Sequence, residues 1–235
     1  MSSPKRLART AGILYLLNAI APGFAYLVET KMYVAGNAAT TAGNVVANAG
    51  LVRLGVVADL FGATVWVFLG MTFYLLLKHV HKSAASAMVV LVAIGTSIVC
   101  LNTVFEFEGL RVATSAVNLT ALGTAGSNAQ VLLLLDTQHY GLLIAQIFFG
   151  LWLAPLGYLV YKSGLFPKAL GVVLIVGAAC YLLDVAALFL VPDLGDKIKT
   201  LVVVPSAIAE VAMVLYLLVI GIRTPTRGKQ IPAAA

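Results

Sequence analysis

Charge is scarce in this sequence: 10% of its 235 residues are Asp, Glu, Lys or Arg and 61% are hydrophobic. An ordinary soluble domain carries about a quarter charged residues, so the apolar surface here exceeds what one water-soluble core could hide. Lipid is the expected solvent. Cysteine is almost as scarce, and Cys100 and Cys180 both fall inside apolar runs without a C-x-x-C or Cys/His spacing. That excludes a disulfide framework and a zinc site, and leaves both as small packing residues. The chain also lacks G-x-S-x-G, H-E-x-x-H, a P-loop and a dinucleotide glycine pattern. The usual nucleophile, zinc and phosphate chemistries therefore miss their parts, and no catalytic residue, metal or cofactor is assigned.

What is present is a series of apolar runs with basic residues between them. Net charge is +6, but its short clusters between runs suit membrane orientation and not nucleic acid. Crossing about 30 Å of hydrocarbon takes about 20 helical residues. Six runs meet that length, approximately 11–28, 54–77, 83–105, 140–161, 167–191 and 201–222. The fold class expected is an all-α bundle of six transmembrane helices, one domain over 1–223, with a disordered basic tail at 224–235.

Lys5, Arg6 and Arg9 before the first run imitate a signal peptide, and Ala19-Ile20-Ala21 imitates its cleavage site. Pro22 directly after it argues against cleavage, so the run is kept as a span. Val131–Leu135 is too short to cross and is expected as an interfacial helix leading into the fourth span.

Lys5, Arg6, Arg9, Lys78, Lys82, Lys162, Lys168, Arg223, Arg227 and Lys229 fall on one side of this arrangement, ten in all and without an acid. Lys31, Arg53, Arg111, Lys197 and Lys199 fall on the other, mixed with acids. The excess of basic residues marks the cytoplasmic side, which puts both termini inside. The outer segments, Glu29–Arg53 and Glu106–Gln138, are rich in Ala, Gly, Asn and Thr and are expected as loops with short helices. Asn118-Leu119-Thr120 matches a glycosylation acceptor, a common triplet that a bacterial chain would ignore.

The informative residues are the polar ones inside apolar runs. An acid at mid-span costs roughly 2.5–3.5 kcal/mol to insert, so Asp59, Asp184 and Glu210 should face the bundle interior and not lipid. Helical spacing gives them neighbours: Tyr15, Asn18 and Pro22 share a face, as do Asn102 with Glu106, His139 with Gln146, Tyr181 with Asp184, and Ser206 with Glu210. All lie toward the outer side. The candidate site is thus an outward-facing polar cavity lined by Asn18, Asp59, Asn102, Glu106, Gln146, Tyr181, Asp184 and Glu210, with Arg53, Arg111 and His139 at its rim.

Arg53 and Asp59, six residues apart, sit on different sides of their helix and are not expected to pair. The plain alternative for the carboxyls is hydrogen-bonded glue between helices. Glu106, Glu108, Asp136 and His139 could form an acid-base group, Pro22-Gly23 and Pro155 with Gly157 read as kinks, and His79 and His81, two apart, do not make a metal site. Trp66 and Trp152 read as packing and interface anchors.

The run from Phe148 through Gly150-Leu151-Trp152-Leu153-Ala154-Pro155-Leu156-Gly157-Tyr158 to Gly164, then Pro167, Gly171 and Tyr181-Leu182-Leu183-Asp184, is distinctive. With Arg53, Asp59, Tyr74, Lys78 and Asn102 it resembles the bacterial multi-pass membrane family known as domain of unknown function 4386. The likeness covers nearly the whole chain and implies a multi-pass topology in a bacterial plasma membrane. That family brings no ligand or activity with it. Three functions remain open: binding or translocation of a small solute or cation, a non-catalytic scaffold or accessory subunit, and an intramembrane enzyme acting on lipid. The expected partner is the bilayer, with no nucleic acid and no assigned oligomer.

Overall fold

The computed structural model describes residues 4–117 and 120–223, and among these there is helix and no strand. Eight α-helices follow in order: α1 Pro4–Met32, α2 Ala38–Ala47, α3 Ala49–Leu77, α4 Lys82–Ala113, α5 Gly123–Leu151, α6 Leu153–Ser163, α7 Lys168–Leu190 and α8 Pro192–Val219. Five stretches are long and apolar enough to cross a membrane: α1, α3, α4, α5 with α6 as one piece, and α7. A shorter apolar stretch, Val204–Val219, lies in α8. Large apolar side chains stand out from these helices, Leu27, Leu101 and Leu190 being 67%, 66% and 80% exposed. Such surface is tolerable against hydrocarbon and not against water.

The helices overrun the expected spans. Glu29 belongs to α1, Arg53 to α3 and Glu106 to α4, so the segments expected as loops are largely helix. Ala, Thr and Val supply helix as readily as loop once one face is buried. α2 is the short outer helix expected, and Asn37 caps it by accepting from the Thr40 amide at 3.0 Å. Val131–Leu135 is not a separate interfacial helix: it lies within α5, with Val131 and Leu135 buried. The glycosylation triplet and the basic tail fall outside the fully described residues.

The chain divides into two compact units. The first takes the start of α1 up to Leu16, then Trp66–Gly95, then the described residues from Gln146 to Arg223. Its centre is Trp152, 2% exposed, with ring centroids 5.6 Å from Tyr15, 5.9 Å from Trp66 and 6.3 Å from Phe73. Leu153, Leu156 and Leu159 are fully buried beside it. Trp152 also separates α5 from α6, and Pro155, which has no amide to offer Leu151, accounts for the interruption. α6 packs on α7 and α7 on α8.

The contact of α6 with α7 is glycine on glycine, since a Cβ on Gly171 would stand 2.6 Å from the Gly157 carbonyl oxygen. Close backbone approach of this kind is how helices associate where apolar side chains gain nothing from leaving lipid. His81, in the turn before α4, accepts from the Ala84 amide through Nδ1 at 3.1 Å. It serves as a helix cap.

The second unit takes Leu17–Val65 and Thr96–Ala145. Its apolar core gathers Val28, Met32, Val45, Val52, Leu110 and Val131. Pro22, in the middle of α1, fits against Gly62 of α3, where a Cβ would fall 2.5 Å from the ring.

Candidate functional site

The polar candidates fall into two groups, one in each unit. In the second unit Glu29 of α1 and Glu106 of α4 line a small cavity together with Tyr33 and Gln138, among apolar side chains that include Val52 and Leu135. About 10 Å³ of it is open to the centre of a water molecule, which is room for one. Asp59 of α3 is 8% exposed and Glu106 is 6% exposed. Both lie within reach of the Glu29 charge and of each other. Among the described residues neither carboxyl has an ion pair with a basic side chain. Arg53 is exposed on α3, and Arg111 is spent on Glu108, 2.5 Å away and three residues back in α4.

Two side chains of α5 tie this corner together. His139 places Nδ1 2.8 Å from Glu29 Oε1, with its ring stacked on Tyr33 at 5.1 Å between centroids. The Tyr33 hydroxyl donates to Asp136 at 2.5 Å. Burial, then that bond and the Asp136 charge, raise the phenol's pKa above its ordinary value, so this donor stays protonated. Asn102, 4% exposed, donates through Nδ2 to the backbone carbonyl of Gln138 at 2.6 Å. Gly141 makes this possible, because any Cβ there would overlap the Asn102 amide. Gly141→Ala is therefore expected to displace Asn102 and cost about 1 kcal/mol, the net worth of one hydrogen bond. Thermal unfolding in detergent beside Asn102→Ala checks this, because the two losses should not add.

In the first unit Glu210 of α8 accepts at both carboxyl oxygens, from Tyr15 of α1 at 3.1 Å and from Tyr181 of α7 at 2.8 Å. Asp184 of α7, 2% exposed, accepts at Oδ2 from Gln146 of α5 at 2.7 Å. Its other oxygen is buried without a partner among the described residues. Ser206 shares the Glu210 face but donates to the Gly177 carbonyl at 3.0 Å.

Of the eight candidate residues, Glu106 lines the cavity described above. Asp59, Asn102 and Glu106 group in the second unit, and Gln146, Tyr181, Asp184 and Glu210 in the first, while Asn18 stands half-buried on α1 with no bond to any of them among the described residues. The possible acid-base group of Glu106, Glu108, Asp136 and His139 is not assembled. Glu108 pairs with Arg111, Asp136 with Tyr33 and His139 with Glu29. Among the described residues no three of His, Cys, Asp and Glu are grouped to hold a metal ion.

Sequence reasoning missed Glu29, Tyr33 and Gln138. The available signal was the four-residue step from Glu29 to Tyr33, one turn of a helix that runs on past the apolar stretch.

An uncharacterized protein of Archaeoglobus fulgidus is 45% identical over 49 residues, which are 20% of this chain and 30% of that protein. The chain thus spans less than a third of that relative's length. No solved structure matches. The family model described as Domain of unknown function (DUF4386) matches residues 10–221, nearly all the helices described above, and the chain belongs to that family.

Proposed function

We propose that the protein crosses a bacterial plasma membrane six times, both termini inside, and binds and passes a small cation through the Glu29–Glu106 pocket from the outer side. The sixth crossing is α8, which contains the apolar stretch Val204–Val219. Lys5, Arg6, Arg9, Lys78, Lys82, Lys162 and Lys168 support the orientation by the rule that cytoplasmic ends carry the excess of basic residues.

One observation carries the function: Glu106 of α4, 6% exposed and without a basic partner among the described residues, lines a cavity with Glu29 of α1, and the charge of Asp59 on α3 reaches it. Uncompensated carboxyls in an apolar setting are costly, and such groups mark ion and proton paths. The pocket's size narrows the occupant, because sites for organic solutes run to hundreds of cubic ångströms. A second reading, the non-catalytic scaffold, is favoured by the Glu210 clamp, in which both carboxyl oxygens are consumed by bonds between helices. Both readings hold if they belong to different units.

The test is thermal unfolding of purified protein across pH and in sodium, potassium and ammonium chlorides. An occupant at about 100 times its Kd stabilises by about 2.7 kcal/mol. Wild type should gain stability with one of these cations or with a fall in pH, and Glu106→Gln should lose that gain while keeping its melting behaviour otherwise. An equal response from the two proteins would sink the cation reading and leave the scaffold.

A further inference from the structure

We propose that the cation is a proton, and that His139 is the group that passes it to Glu29. This rests on the reading of the Glu29–Glu106 pocket as a cation site. The pocket has room for one water-sized occupant. Its polar lining includes the Glu29 and Glu106 carboxyls and the Gln138 amide, whose Oε1 is buried with no hydrogen-bond partner among the described residues. Gln138 as a whole is 3% exposed. The hydroxyl of Tyr33, the other polar group of the lining, is already committed to Asp136. Carboxyl and amide oxygens suit a small cation, a hydrated proton among them, and the imidazole beside Glu29 is what selects the proton.

His139 supplies the connection outward. Its side chain is 33% exposed while that of Glu29 is 11% exposed, and 2.8 Å separates Nδ1 from the Glu29 oxygen. The titratable groups around the ring are Glu29 and Tyr33 from the α1 end, with Tyr140 at 5.6 Å and Asp136, held by Tyr33, from α5 itself. With Glu29 ionised, Nδ1 is the donor. A proton taken from water at Nε2 is matched by release of the Nδ1 proton to Glu29, leaving a neutral ring with its tautomer exchanged. Once Glu29 has passed that proton on into the pocket, reorientation of the ring turns its remaining N–H back toward Glu29 and its bare nitrogen toward water, which resets it. Sodium has no use for an imidazole in this position, and ammonium would fill the pocket without needing the exchange.

Vesicles holding the full chain, with a pH-sensitive dye inside, test this directly. After an external acid step in potassium buffer with valinomycin, wild type should acidify the lumen. His139→Asn keeps an amide donor for Glu29, and should fold with unchanged melting yet pass protons at least tenfold more slowly. External imidazole should restore part of the rate, which a structural role would not allow. Proton flux by His139→Asn at the wild-type rate overturns the proposal. So does wild-type flux of sodium or ammonium with no proton flux, which would leave the cation pocket standing. Loss of all flux together with an indifferent Glu106→Gln would remove the pocket reading as well.

Discussion

Trp152→Ala is expected to destabilise the protein by about 4 kcal/mol, the scale for removing a buried Trp from a packed interior. The indole packs against Tyr15, Trp66 and Phe73, residues that arrive from α1 and α3. On the scaling for a chain of this size the melting temperature should fall by roughly 10 °C. Trp152→Phe should recover about half, since a smaller ring keeps some of the contacts. A membrane-interface anchor would behave differently, tolerating Tyr and losing little to Ala. A loss under 1 kcal/mol for Trp152→Ala would therefore return Trp152 to the interface.

Glu210→Ala ranks second. In a membrane the net value of a hydrogen bond between helices averages about 0.6 kcal/mol and reaches about 1.7, because the separated helices also find partners. Two bonds to one carboxyl at the upper end give about 3 kcal/mol, and the Tyr15 and Tyr181 hydroxyls would be left facing apolar neighbours. Glu210→Gln, which can still accept at one oxygen, should lose about half as much. Tyr15→Phe and Tyr181→Phe should each fall between the wild type and Glu210→Ala, and should add little on top of it. If the tyrosine and glutamate losses summed fully, the clamp would not be one unit.

Helix class was legible because apolar runs of about 20 residues leave the backbone no alternative in lipid. The ends of the helices were not. Hydropathy falls at Glu29, Arg53 and Glu106, but backbone hydrogen bonding continues through all three, and it continues for as long as one face has something to pack on. The carboxyls within the helices were legible for the same energetic reason: Asp59, Asp184 and Glu210 stand out where insertion is expensive. Their partners were not, because spacing along one helix carries no information about which neighbour it meets. Tyr15 and Glu210 each had a face assigned, yet the bond between them depends on the packing of α1 and α8. A packing role for Trp152 was one reading of its place in the apolar run, whereas the three rings it meets appear only with the tertiary contacts.

The bond of Tyr15 to Glu210 joins residues 195 apart in the chain. A ribosome adding about 5 to 20 residues per second needs about 10 to 40 s to cover that distance. Throughout that interval the first helix is already in the bilayer with its tyrosine unmatched, and the pocket's own Glu29 waits on His139, 110 residues downstream. The opening helix therefore settles last, when the closing one arrives, and truncation before α8 should leave the nascent chain inserted but open to quality-control proteases.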